Sequence, residues 1–109
     1  MPYITAGNNI VTLINVFTVG VENQDRLVEL LTQVTSVSTR HAPGFVSASL
    51  HRSIDGTKVT MYAQWRSVED YQAMRNDTTA HASLEEAARL AVFEPGMYEV
   101  VETFEPASG

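Results

Sequence analysis

The chain contains no cysteine, which excludes a disulfide framework, a thiolate nucleophile and a zinc ribbon. Basic residues are few: 7 Lys and Arg stand against 13 Asp and Glu, a net charge of −6, and they form no cluster. That balance opposes tracking of nucleic-acid phosphates and adhesion to anionic lipid. No apolar run is long enough to span a bilayer, and "MPYITAGNN" lacks the basic and apolar regions of a signal peptide. A cytoplasmic protein is therefore expected, with neither nucleic acid nor membrane as partner. There is no Gly-rich nucleotide loop, because "HAPGF" and "IDGT" read as turns. His41, His51 and His81 show no local metal-ligand spacing, so no metal site is expected. What is present is ordinary globular material: 109 residues, 44% hydrophobic, enough for one core. We expect a single domain over 1–109 with its core at about 10–104.

Periodicity divides the chain into blocks. "IVTLINVFTV" at 10–19 is a strand. Alternation puts Val11, Leu13, Asn15, Phe17 and Val19 on one face and Thr12, Ile14, Val16 and Thr18 on the other. Both faces are largely apolar, so both should be covered. In "ENQDRLVELLTQVTSVSTRHA", Leu27, Leu30, Leu31 and Val34 form an amphipathic stripe. Asn23 is placed to cap this helix, and Pro43-Gly44 ends it. "GFVSASLHRS" and "KVTMYAQWR" read as strands joined through Asp55-Gly56, a strong hairpin signal. Ser67 begins a capping box with Asp70 and opens a short helix. "TTAHASLEEAARLA" continues as a second helical segment, and "GMYEVVETF" at 96–104 alternates as a last strand. The order β-α-β-β-α-β is the ferredoxin-like arrangement, α+β, with an antiparallel sheet and helices on one face. The second apolar face of the first strand then calls for a two-fold copy, a dimer.

Asn15 stands out. Asn is depleted in strands, and a buried amide costs free energy unless it is paired. It reads either as a core amide bonded to a loop or as a polar group lining a cavity and facing a ligand. Trp65, the one tryptophan, is either core or an indole N–H donor to a ligand. His51, which alternation puts on the face of Phe45, Ser47 and Ser49 near the hairpin end, is a solvated strand-end residue or a pocket base. His81 is surface or pocket, whereas His41 suits a helix C-terminus. Met61 and Met74 read as core or pocket wall. Tyr62 and Tyr71 each carry a phenolic donor, with half-buried packing as the plainer role.

With "INVFTV", "APGFVSASLHRSIDGTKVTMYAQW", "SVEDYQAM" and "GMYEVVETF" in this order, the chain resembles the antibiotic biosynthesis monooxygenase family of small dimeric ferredoxin-like proteins. The resemblance covers about Ile10 to Phe104. It implies a dimeric α+β barrel that oxidises an anthrone-like or quinol aromatic polyketide to a quinone with molecular oxygen, without metal or flavin. In the anthrone-oxygenase branch, an Asn and a Trp match Asn15 and Trp65, which the resemblance marks as catalytic. Another quinone-forming branch has a His matching His51 and a Tyr matching Tyr71, but carries an Asn where this chain has Met61. Phe17, His51, Met61, Tyr71 and His81 are accordingly assigned to substrate contact. The haem-degrading branch shares the first-strand Asn and uses a helical His, nearest to His81. It also carries a second Trp, where this chain has Met74. Haem degradation, or non-catalytic binding by a dimer, is the alternative.

The resemblance implies that the enzyme favours the substrate enolate, excludes water and holds the ring system. A neutral amide is too weak a base to take the proton, so Asn15 is assigned polarisation and orientation. His51, substrate phenolate or water is left as the base.

Overall fold

The computed structural model describes residues 9–77 and 81–107, the side chain of His81 excepted. Four strands, β1 (Val11–Val19), β2 (Phe45–Arg52), β3 (Lys58–Trp65) and β4 (Ala91–Tyr98), form one antiparallel sheet in the order β2-β3-β1-β4. The helices are α1 (Gln24–Val37), α2 (Val68–Arg75) and α3 (His81–Leu90). This is the ferredoxin-like order that the periodicity predicts.

Alternation decides which face of the sheet the helices cover. Leu13, Phe17 and Val19 of β1 are buried, as are Val59, Ala63 and Trp65 of β3. The α1 stripe of Leu27, Leu30, Leu31 and Val34 closes over that inner face. Two clusters result. One joins Phe17, Val19 and Val59 to Leu27, Leu31, Ala87 and Ala91. The other joins Leu13, Ala63, Trp65 and Tyr71. Burying such side chains stabilises the fold by roughly 1.5–3 kcal/mol each.

Local signals explain the joints. Gly56 turns the β2–β3 hairpin at φ +84°, a conformation that favours glycine. The Asp55 carboxylate there accepts from the hydroxyl (2.7 Å) and amide (3.0 Å) of Thr57 and the hydroxyl of Ser53 (2.8 Å). Those bonds, the Thr57 hydroxyl foremost, lower its pKa to about 2. Ser67 caps α2 as expected, its Oγ accepting from the Asp70 amide at 3.1 Å. Asn23 occupies the cap position of α1, but its side chain makes no capping bond. The next residue does the anchoring: Gln24 Nε2 donates to the carbonyls of Ser53 and Lys58, both at 3.0 Å.

Three sequence expectations change. The first helix is shorter than predicted, with single 3₁₀ turns at Val21–Asn23 and Thr39–His41 on either side of α1. A register shift between Phe45 and Ser47 turns Phe45 to the inner face, so it no longer shares a face with Ser47, Ser49 and His51. The last strand is Ala91–Tyr98, not 96–104, while 99–107 has no regular structure. The observed strand contains Pro95-Gly96, two residue types depleted in strands. Yet β4 lies at the sheet edge and pairs only with β1, where a missing N–H is tolerated. Ala91, Phe93, Pro95 and Met97 then stand opposite Val19, Phe17, Asn15 and Leu13.

Candidate functional site

Between the inner face of the sheet and the helices lies a cavity of about 110 Å³. Its floor comes from alternate residues of the central strands, Leu13, Asn15 and Phe17 of β1 with Met61, Ala63 and Trp65 of β3. Phe45, Ala48 and Phe93 extend the floor to both edges, and Leu31, Val34, Tyr71, Met74, Leu84 and Ala87 roof it. The wall is therefore apolar and aromatic, the usual make-up of a small-molecule pocket.

The aromatic groups hold one another in place. Trp65 is fully buried, with Phe45 edge-on at 5.4 Å and Tyr71 edge-on at 5.8 Å between ring centroids. Phe17 and Phe93 pair at 5.6 Å across β1 and β4. Such contacts contribute about 0.5–1.5 kcal/mol each and fix ring orientation.

Against this wall, two polar atoms are left over. Asn15 Oδ1 and Trp65 Nε1 are both buried and make no hydrogen bond. A buried, unpaired polar group costs about 1–3 kcal/mol, so each such atom needs a reason, and a ligand partner is one. The backbones of the two residues are offset along the floor. Trp65 pairs with Val11 and Met61 pairs with Asn15, a separation along the strands of four residues, or ~13 Å. A third polar group, the Tyr71 hydroxyl, accepts from Arg75 Nη1 at 3.0 Å.

Six of the residues singled out in the sequence converge on this cavity: Asn15, Phe17, Met61, Trp65, Tyr71 and Met74. His51 does not. It pairs with Thr60 on the opposite face of the sheet, is exposed, and shares a 2.9 Å hydrogen bond with Ser49 Oγ. The strand's period of two places it there once the shift at Phe45 is passed. His81 opens α3, and its side chain lies outside the described residues. His41 is exposed. Sequence reasoning missed Thr35, Thr39, Arg75 and Phe93 as wall residues. Arg75 was findable, since i, i+4 spacing on α2 places it beside Tyr71. Phe93 was hidden by the misplaced last strand. Among the described residues no group of His, Asp and Glu is placed to hold a metal ion, and no helix is long and apolar enough to cross a membrane.

Known proteins share this architecture. The chain is 40% identical over 104 residues to tetracenomycin-F1 monooxygenase of Streptomyces glaucescens, covering 95% of this chain and 93% of that one. It is 30% identical to a monooxygenase from the ActVA-Orf6 gene of Streptomyces coelicolor, solved in complex with nanaomycin D. That match has a TM-score of 0.71 and covers 90% of this chain and 92% of the other. SnoaB, a cofactor-independent oxygenase from Streptomyces nogalater, shares the fold at 21% identity and a TM-score of 0.79, over 91% of this chain and all of its own. Residues 10–96 match antibiotic biosynthesis monooxygenase, and the chain belongs to that family.

Proposed function

We propose that the protein is a cofactor-independent monooxygenase that oxidises an anthrone-like or quinol polyketide to a quinone with molecular oxygen. The observation that carries this reading is the pair of unpartnered polar atoms, Asn15 Oδ1 and Trp65 Nε1, in the wall of one apolar, aromatic cavity. The relatives support it, being a tetracenomycin-F1 monooxygenase and a monooxygenase solved with nanaomycin D.

Triplet oxygen reacts slowly with closed-shell molecules unless single electrons can move. Loss of a proton from an anthrone C–H gives an electron-rich enolate. That enolate passes one electron to oxygen, and the radical pair combines to form a hydroperoxide on the same carbon. Loss of water leaves the second carbonyl. Anthrone and O₂ thus become quinone and H₂O, with no outside reductant. The protein favours the enolate and keeps bulk water out. Asn15 donates from its amide nitrogen Nδ2 to the substrate oxygen and so lowers the cost of the enolate, an effect worth about 3–4 kcal/mol for one preorganised donor, while its unpartnered Oδ1 accepts from a substrate hydroxyl. The backbone of Trp65 is offset by four residues along the strands from Asn15, so its indole N–H reaches a different part of the ligand and donates to the peroxide that forms across the central ring from the enolate oxygen. With His51 outside the cavity, substrate phenolate or water is the base. The cavity is comparable to the ~150 Å³ that houses a single benzene ring. A fused ligand therefore extends through the mouth or past Met61 into an adjoining pocket of about 150 Å³.

The same reading makes the protein a homodimer. The outer face of the sheet carries half-buried Ile14 and Val16, and Thr12 Oγ1 and the Tyr62 hydroxyl are buried there without partners. Val101 and Phe104, 83% and 88% exposed beyond β4, add apolar surface for a second copy to cover. Oxygen uptake with dithranol tests the activity. Wild-type rates in both Asn15→Ala and Trp65→Phe would refute the site assignment.

A further inference from the structure

One charged side chain, Arg75, belongs to the cavity wall among the described residues. It is exposed while its neighbour Tyr71 is buried, so it stands where the cavity meets solvent. Its Nη1 donates to the Tyr71 hydroxyl at 3.0 Å, and its guanidinium carbon lies 5.9 Å from the centre of the Tyr71 ring. That bond uses one of the five N–H donors of a guanidinium. Arg26 and Arg52, by contrast, are committed to Glu86 and Asp25 at 2.6 and 2.7 Å. No carboxylate pairs with Arg75 among the described residues. The chain as a whole carries a net charge of −6, a field that opposes the approach of an anion. An unpaired cation at the edge of an apolar pocket reverses that field locally.

We propose that Arg75 is a specificity-determining residue that binds an anionic substituent, a carboxylate or ionised phenol, at the cavity-mouth end of an aromatic ligand. The rings lie against Trp65 and Tyr71, and the anion stays at the water boundary, where its desolvation is small. Two parallel N–H donors of a guanidinium match a carboxylate in a way an ammonium does not. Tyr71 serves as the brace: its ring and hydroxyl hold the guanidinium over the mouth. The inference rests on the cavity being the ligand site and narrows the substrate class to acidic polycyclic aromatics.

The test is binding, not turnover. Trp65, the one tryptophan of the chain, lies in the wall and reports occupancy through its fluorescence. Anthraquinone-2-carboxylate and the neutral anthraquinone-2-carboxamide are titrated into the intact protein. The carboxylate should bind about tenfold more tightly at low ionic strength, and salt should narrow the gap. Arg75→Gln should remove the gap while leaving the amide within about twofold, a scale set by the near-neutral effect of exposed polar changes. Arg75→Lys should keep part of it, and Tyr71→Phe should preserve its sign. Equal wild-type affinities, or a gap that survives Arg75→Gln, overturn the role of Arg75 and leave the cavity reading intact. Absence of binding by both compounds overturns the two together.

Discussion

Replacing Asn15 by Leu separates the cost of the site from its use. Asn15 Oδ1 is buried and unpaired between Leu13 and Phe17 in the free protein, and a group in that state costs about 1–3 kcal/mol. Leucine has the same branching and number of side-chain heavy atoms, is larger by a volume the adjoining cavity can take, and brings no polar atom. Because the Asn15 residue is only half-buried, the lower end of the range applies, a gain of about 1 kcal/mol. For a chain of this size that is a rise in Tm of about 4 °C. Activity should move the other way. Loss of one preorganised donor lowers kcat by about 10²–10³-fold. The two readouts are calorimetric Tm at fixed protein concentration, since self-association would shift it, and oxygen uptake with dithranol. A variant that is more stable and nearly inactive marks Asn15 as a residue kept for chemistry at a cost in stability. A variant several degrees less stable would mean the amide already has a protein partner. Unchanged turnover would mean it does not act on substrate. Either result refutes the reasoning.

Trp65→Phe keeps a ring beside Phe45 and Tyr71 but removes the unpartnered N–H. We expect a kcat loss of about 10–100-fold against a stability cost of only about 1–2 kcal/mol by urea unfolding. Gln24→Ala leaves the Ser53 and Lys58 carbonyls without the Nε2 donor that ties α1 to the hairpin. It should cost about 2 kcal/mol in urea unfolding with the m-value unchanged. Asp55 has a folded pKa of about 2, below its ordinary 3.8. Its contribution is therefore present above the ordinary value and lost as pH falls toward 2. The Tm difference between wild type and Asp55→Asn should be full at pH 5 and vanish near pH 2. Sedimentation should give a dimer, weakened by charge on the outer face, as in Val16→Asp; a monomer at all concentrations would contradict the proposed assembly.

Element order was legible because the chain's periods are clean. The stripe from Leu27 to Val34 is buried as its spacing says, and the Asp55-Gly56 turn and Ser67 cap are where their chemistry requires. The errors came where one residue decides against its neighbours. The clean alternation of "GMYEVVETF" favours a strand at 96–104 over Ala91–Tyr98, and nothing in the local sequence marks β4 as an edge that tolerates Pro95. The shift between Phe45 and Ser47 is equally silent, and it separates Phe45, in the cavity wall, from His51, on the far face. Asn15 was recognisable as a misfit in an apolar strand. Its lack of a partner was not, because that depends on how α1, α2 and α3 sit over the sheet. The spacing of Tyr71 and Arg75 makes their pairing legible; that the pair lines a cavity depends on how α2 packs over the sheet.

The central claim is that this cavity, with no metal or flavin added, brings an anthrone and oxygen to reaction. The most direct measurement is oxygen consumption by chelator-treated protein supplied with dithranol, with the quinone quantified in parallel. The account predicts catalysed uptake of one O₂ per quinone formed, greatly reduced in Asn15→Leu and Trp65→Phe. Uptake no faster than the uncatalysed rate, or restored only by added metal, flavin or haem, would contradict it.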